Sequence, residues 1–278
     1  MLPAVVKLCC GISYPHLRSM AGLQRRAVAV IGQEISHLQQ WVQIQQRLRP
    51  RPGLHFNEPR PDETKPVKEN LLFYEQQGEE AMRRALNMLE DKDGWKVEVT
   101  ESNGDVISSK VMPGGRKVFR LEAVLEASLD QLYDILFVRV EEMHRWNPSI
   151  QHIKILKHVG PQTVVTHEVS AGTAGNLIGQ RDFLSVRHSC KQKSGVYLGG
   201  AAIELDSFPP QAGYVRAEDG PTCIIIKALN DNGTRTHFTW LLNMDVKGWM
   251  PKSIVNQALP RAQLDFTKNL RQQLTQPA

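Results

Sequence analysis

The chain has 278 residues, 41% of them apolar and 23% charged, with a formal net charge of +5. This usage suits a folded domain with its own core and excludes wholesale disorder. No run of about 18 apolar residues occurs, which excludes a membrane-spanning helix by length. The four cysteines, Cys9, Cys10, Cys190 and Cys223, lack both zinc-ligand spacing and the density of a disulfide framework, so free thiols in a reducing compartment are expected.

Charge is uneven along the chain. Residues 1–60 hold eight Lys/Arg and two acids, and the remaining residues sum to −1. The body therefore shows no basic face of the kind nucleic acid demands, and no nucleic-acid partner is expected. No acid precedes Glu34. Leu17, Met20, Gln24, Val28, Ile31, Ile35 and Leu38 recur at helical spacing, with Arg18, Arg25 and Arg26 off that line. A basic, acid-poor amphipathic start is the pattern of a mitochondrial transit peptide, which an import receptor and the membrane potential both read. A secretory signal fits worse, for want of an unbroken apolar segment followed by small residues. The plainer alternative is a frayed helix of a cytosolic protein. In an organelle the sequon Asn232-Gly233-Thr234 has no glycosylation role. Residues 47–68 (RLRPRPGLHFNEPRPDETKPVK) contain five prolines, which no helix or central strand survives. The expected division is a leader and linker over 1–62 and a folded domain over 66–276.

Leu71, Met82, Ala85, Leu86 and Leu89 form a helical stripe across 69–91, weakened at Gly78. The period then changes to two. Trp95, Val97 and Val99 alternate with polar residues, Asn103-Gly104-Asp105 signals a hairpin, and Val106–Met112 and Phe119–Leu125 follow as strands. Ser128 reads as an N-cap with Gln131 three residues on, opening a helix through Leu132, Leu136 and Val140. Strands are expected over 150–159, 162–169, 180–188, 196–207, 214–218, 223–229 and 236–245. The last element is a helix from Pro251 to about Gln273, with an apolar stripe through Val255, Leu259, Phe266 and Leu270, and with Pro260 expected to kink it or break its hydrogen-bond ladder. Strands that follow one another without crossover helices make an antiparallel sheet. The fold class is α+β, a curved sheet with a terminal helix across its mouth.

Catalytic motifs are scarce. His167-Glu168 lacks the second histidine of a zinc hydrolase, Gly172, Gly175 and Gly179 lack the dinucleotide spacing, and His144, His152, His158 and His167 are scattered. No catalytic residue, metal or cofactor is assigned. Glu168 and Arg187 are more informative. Each lies near the end of a largely apolar strand, and neighbouring strands would bring them together. Two readings stay open: an ordinary salt bridge, or a polar pair that orients one group of a ligand in an apolar cavity.

The stretches HRWNPSIQHIKIL, VTHEVSAGTAGNLIGQRDFLSVR, VRAEDGPTCIII, FTWLLNMDVKGWMPKSIVNQAL and LDFTKNLRQQL resemble a START lipid-transfer domain, and specifically its sterol-binding branch. The leader is similar to that of a mitochondrial, steroidogenic member. The resemblance implies a helix-grip fold, with about nine strands curving around the C-terminal helix to enclose an apolar tunnel for one lipid. It assigns Glu168 and Arg187 to the sterol hydroxyl. It makes the loop around Trp146 and Asn147, with Val255, Leu259, Phe266 and Leu270 of the terminal helix, the gate. The implied function is the binding of cholesterol and its delivery to mitochondria for side-chain cleavage and steroid synthesis, with the outer mitochondrial membrane and the import machinery as partners. The alternatives are a lipid-sensing module or an enzyme on the same cavity fold. Two departures stand out. The linker lacks a basic kinase site, and the candidate phosphorylation site Ser194 follows Lys191-Gln192-Lys193, with glutamine where arginine is expected.

Overall fold

A computed structural model describes residues 71–172, 179–192, 195–229 and 233–276. The leader, the linker, Ser194 and the sequon's Asn232 lie outside the described residues. Helix α1 (Leu71–Glu90) comes first. Strands β1 (Lys96–Thr100), β2 (Val106–Val111) and β3 (Lys117–Leu125) form the expected meander. The Asn103–Asp105 turn joins the first two, with Glu101 N–H donating to Asp105 O at 2.9 Å and Gly104 at φ +88°.

One expected alternation fails in β1. Val97 faces Ser108 while Val99 faces Ile107, so an extra residue, Glu98, sits between them. A bulge shifts parity by one. Val99 therefore packs on the core while Val97, two residues away, is 67% exposed.

Ser128 caps α2 (Leu129–Tyr133), its Oγ accepting from Gln131 N–H at 3.2 Å. The single helix expected here is broken. A π-helical turn (Asp134–Val138), a 3-10 turn (Val140–Glu142) and the short α3 (Met143–Trp146) follow instead. The wider turn puts Ile135, Leu136 and Phe137 all into the core, which an ideal α-helix stripe does not allow.

The remaining strands are β4 (Ile150–His158), β5 (Thr163–Ser170), β6 (Arg181–Gln192), β7 (Gly195–Ala202), β8 (Val215–Arg216), β9 (Glu218–Asp219), β10 (Thr222–Ala228), β11 (Thr236–Leu242) and β12 (Met244–Asp245). The large sheet runs β1-β2-β3-β11-β10-β7-β6-β5-β4, all antiparallel, with β8 added parallel to β6. A second ladder pairs β12 with β9. Helix α4 (Lys252–Thr275) closes the inner face. It runs through Pro260 without interruption, although the proline withholds the donor that Asn256 O would otherwise receive. Burial of Leu259, Ala262, Phe266 and Leu270 along one stripe holds the helix across that gap.

The two sheet faces have different covers. Inward, Leu121, Phe183, Leu198, Ile224, Phe238 and Trp240 form the main core with α4. Outward, α1 lies over β6, β7 and β10, where Met82 and Ala85 meet Cys223 and Leu241. Contact there is close: a Cβ on Gly199 would stand 2.6 Å from Met82 Cβ and 2.9 Å from its Cα. Because Met82's own backbone is involved, rotamer change cannot relieve the clash. Gly199→Ala is expected to cost about 1–3 kcal/mol in urea denaturation. A wild-type midpoint would mean that α1 docks more loosely than described.

Candidate functional site

Register brings the two predicted charges together. β5 and β6 pair so that Val164, Thr166 and Glu168 lie opposite Arg187, Ser185 and Phe183. Opposite residues of an antiparallel pair share a face, and Val164 and Phe183 place that face in the main core. Arg187 Nη2 donates to Glu168 Oε2 at 2.8 Å, and Arg187 Nε donates to Thr166 Oγ1 at 3.0 Å. The two side chains are 5% and 2% exposed. On β7, Gly200 is the residue opposite Arg187.

Glu168 is held above the usual carboxylate range, first by burial, with the Arg187 charge and hydrogen bond pulling the other way. Its second oxygen, Oε1, is buried with no hydrogen-bond partner among the described residues. An orphaned acceptor in an apolar interior carries a cost of about 1–3 kcal/mol, which a donor delivered by a ligand removes.

Beside this pair is a cavity lined by Arg187, Leu136, Phe137, Met143, Leu198, Ile224 and Phe266. Its chemistry is that of a lipid pocket, one polar group set among apolar walls. Its size is about 10 Å³, room for roughly one water, whereas pockets for small ligands run to about 300–1,000 Å³. The apolar lining expected from the sequence is therefore present beside the pair, and this cavity within it is nearly closed. A larger cleft of about 410 Å³ lies on the opposite, outward side, between α1 residues such as Met82 and Leu86 and sheet residues such as Arg120 and Tyr197. It shares no residue with the Glu168–Arg187 pair.

Of the predicted gate residues, Trp146, Val255, Leu259, Phe266 and Leu270 all belong to or pack against the main core. Trp146 packs on Phe266 with ring centroids 5.4 Å apart, and Trp240 packs on the same ring at 5.0 Å. Asn147 is fully buried, its Oδ1 accepting from Ser149 N–H at 3.1 Å and from Ser149 Oγ at 2.6 Å. Leu259, Phe266 and Leu270 are buried, and Val255 packs on the core's edge.

Sequence reasoning missed Asp219. This carboxylate is 6% exposed and accepts from Ser185 Oγ at 3.1 Å. It is pushed up to about 7, first by burial and then by the Glu168 charge, against the pull of Arg187 and Ser185. An Asp-Gly pair reads as an exposed turn, and two-residue strands carry no periodicity to contradict that. Of the four predicted histidines, His152 and His167 meet edge to face, ring centroids 5.8 Å apart. His167 faces outward, its Nε2 3.1 Å from Asp182 Oδ2, and Arg216 donates to the same oxygen at 2.9 Å. His144 lies 2.7 Å from the Glu141 carbonyl on the surface.

A family model described as START domain matches residues 75–278. The steroidogenic acute regulatory protein of Xenopus laevis is 44% identical to this chain, over 99% of it and 97% of that relative. The protein named "steroidogenic acute regulatory protein, mitochondrial" in Gallus gallus is also 44% identical, over 100% of this chain and 99% of its own length. Among solved structures, human StAR-related lipid transfer protein 5 superposes with a TM-score of 0.65 at 21% identity, covering 72% of this chain and 96% of that one. A STAR-related lipid transfer protein from Xanthomonas axonopodis does so at 0.55 and 20% identity, covering 66% and 100%. Curved sheet, gripping helix and family match agree: the chain belongs to the START domain family.

Proposed function

We propose that this protein is a sterol carrier: it binds one cholesterol-like molecule, seats the hydroxyl at Glu168 and Arg187, and delivers it at mitochondria for steroid synthesis. The observation that carries the reading is Glu168 Oε1, a buried acceptor with no partner among the described residues, beside an apolar cavity. A sterol hydroxyl supplies the missing donor and its skeleton fills the apolar space. A ketone or an ester at the same carbon brings no donor and leaves the oxygen orphaned, so the site selects free sterols. The chemistry is binding and release, with no bond made or broken. The relatives named mitochondrial and the basic amphipathic leader place the work at mitochondria, and the outer membrane surface and the import machinery are the partners this reading requires.

Burying a steroid skeleton at roughly 0.8 kcal/mol per CH₂ is balanced by the equally apolar bilayer it leaves. Exchange is thus nearly thermoneutral and its rate is set by opening. The closed cavity requires movement, and α4, whose Phe266 contacts both Trp146 and Trp240, is the element that moves, together with the Trp146–Asn147 loop.

The test is transfer of labelled cholesterol from donor vesicles to acceptor vesicles by the full chain, alongside a native mass spectrum of the loaded protein. A complex with one sterol per chain and accelerated transfer is expected. A protein that binds sterol without moving it is a sensor, and one that binds none is not a sterol carrier.

A further inference from the structure

The cleft on the outward face has no part in the sterol-carrier reading. The geometry points to a second lipid site there: the cleft between α1 and the sheet takes an elongated, uncharged lipid whose polar end is an oxygen acceptor, as in a ketone or an ester, and seats that oxygen at Arg120.

Register builds the floor. Cys190 of β6 lies opposite Tyr197 of β7, Tyr197 opposite Ile225 of β10, Ile225 opposite Thr239 of β11, and Thr239 opposite Glu122 of β3. All five line the cleft. Residues opposite one another share a face, so these five form one row that crosses the strands. Four strand spacings of about 4.8 Å make the row about 19 Å long. Met82, Leu86 and Leu89, on one stripe of α1, supply an apolar wall along it. The neighbouring row, with Cys223 and Leu241, is already sealed beneath α1. The volume of about 410 Å³ falls in the small-ligand range of about 300–1,000 Å³. Spread over that length, it suits one extended chain or one fused-ring skeleton.

The polar group is fixed at the β3 end. Arg120, two residues from Glu122, lines the cleft and stacks on Trp95, 4.7 Å from the ring centroid. Its buried Nε has no hydrogen-bond partner among the described residues, with Glu122 Oε2 3.4 Å away. A donor group so held is completed by an acceptor. Charge decides which acceptor. The lining carries two cations, Arg120 and Lys227, and two carboxylates, Glu90 and Glu122, so it has no net charge to draw in an ion. At Arg120 a carboxylate head meets the like charge of Glu122, and an ammonium head meets that of Arg120 itself. A carbonyl oxygen accepts from the guanidinium and meets neither penalty. The inner pair lacks a donor and the outer cleft lacks an acceptor, so the two sites sort lipids by opposite criteria.

The experiment follows alkylation of Cys190 by iodoacetamide in the full chain, resolved peptide by peptide in a mass spectrometer. Cys223 is buried, its thiol pushed up to about 12 by that burial, and serves as the unreactive reference. The probes are dodecyl methyl ketone, for a straight chain, and cholestenone, for a fused-ring body. Dodecane and dodecanoate are the comparisons. At about ten times its Kd, at least one ketone is expected to slow Cys190 alkylation about tenfold, by mass action. The ketone that protects identifies the body the cleft prefers. Dodecane and dodecanoate should bind about tenfold more weakly, as should the ketone to Arg120→Met, which keeps the apolar stem and removes the donors. Equal protection by dodecane, or by dodecanoate, overturns the seating of a neutral oxygen, and no protection by either ketone overturns the site. Should Cys190 react too slowly, or Arg120→Met fail to fold, amide exchange at residues 86–90 and at Tyr197 of the unmodified chain decides, with unchanged exchange in both ketones, or the same protection from dodecane, as the negative result. The cleft shares no residue with Glu168 and Arg187, so each of these negatives leaves the carrier reading standing.

Discussion

Glu168→Lys is expected to abolish sterol binding. It sets an ammonium against the Arg187 guanidinium where Glu168 Oε2 now accepts at 2.8 Å, in a site whose side chains are 2% and 5% exposed. Two like charges with no water to screen them carry a penalty of at least the 3–5 kcal/mol seen when one partner of a buried pair is removed, and the guanidinium turns away from any ligand. Loss of affinity below detection in a sterol titration should accompany a clear drop in thermal midpoint. Because such a variant risks failing to fold, Glu168→Gln is the companion. Its amide oxygen can still accept, but the charge-assisted bond to Arg187 becomes a neutral one. The difference is about 1–2 kcal/mol, an affinity loss of roughly five- to thirtyfold at near-native stability. Wild-type affinity in a folded Glu168→Lys protein would show that the pair is structural only.

Arg271→Ala should speed exchange while lowering stability. Arg271 on α4 grips Asp105 in the β1–β2 turn with two bonds, both 2.6 Å, and also donates to Val124 O at 3.0 Å. The Asp105 side chain is 2% exposed, so truncating the arginine strands a buried carboxylate, at about 2–4 kcal/mol. If opening of α4 already breaks this grip, the closed state is weakened and the open state is not. Cholesterol transfer between vesicles then accelerates by up to about tenfold, and amide exchange in the second half of α4 loses protection. Faster amide exchange with unchanged transfer would mean that sterol leaves by another route. Asp105→Ala in the same chain should restore part of the lost stability, since no carboxylate is then left unpaired.

Much of this architecture was readable before any coordinates. The alternation of Phe119, Leu121, Ala123 and Leu125 fixed β3's inner face, Ser128 marked a helix start, and the positions of Glu168 and Arg187 on consecutive strands foretold their meeting. What escaped had physical causes. The bulge at Glu98 inverts parity without any change in residue type, so Val97 reads as core and lies in solvent. The π-helical turn answers a packing demand from three consecutive apolar residues that local propensity does not register. Asp219 needs a tertiary contact with Ser185 to become a buried acid. The cavity's volume depends on the rotamers of Phe137, Met143 and Phe266, which no pattern of letters encodes.

Arg181 has a consequence for motion. Its fully buried guanidinium donates to the carbonyls of Gly179, Val246 and Lys247, in the segment where the chain turns into α4 through Lys247 and Gly248, both at positive φ. The far end of α4 depends on Arg271, whose side chain is 29% exposed. One arginine is sealed from solvent and the other is wetted, so competing water reaches only the second. A cylinder riveted at its base and merely buttoned at its tip swings like a drawbridge, and cargo would pass under the free edge while the pivot stays anchored.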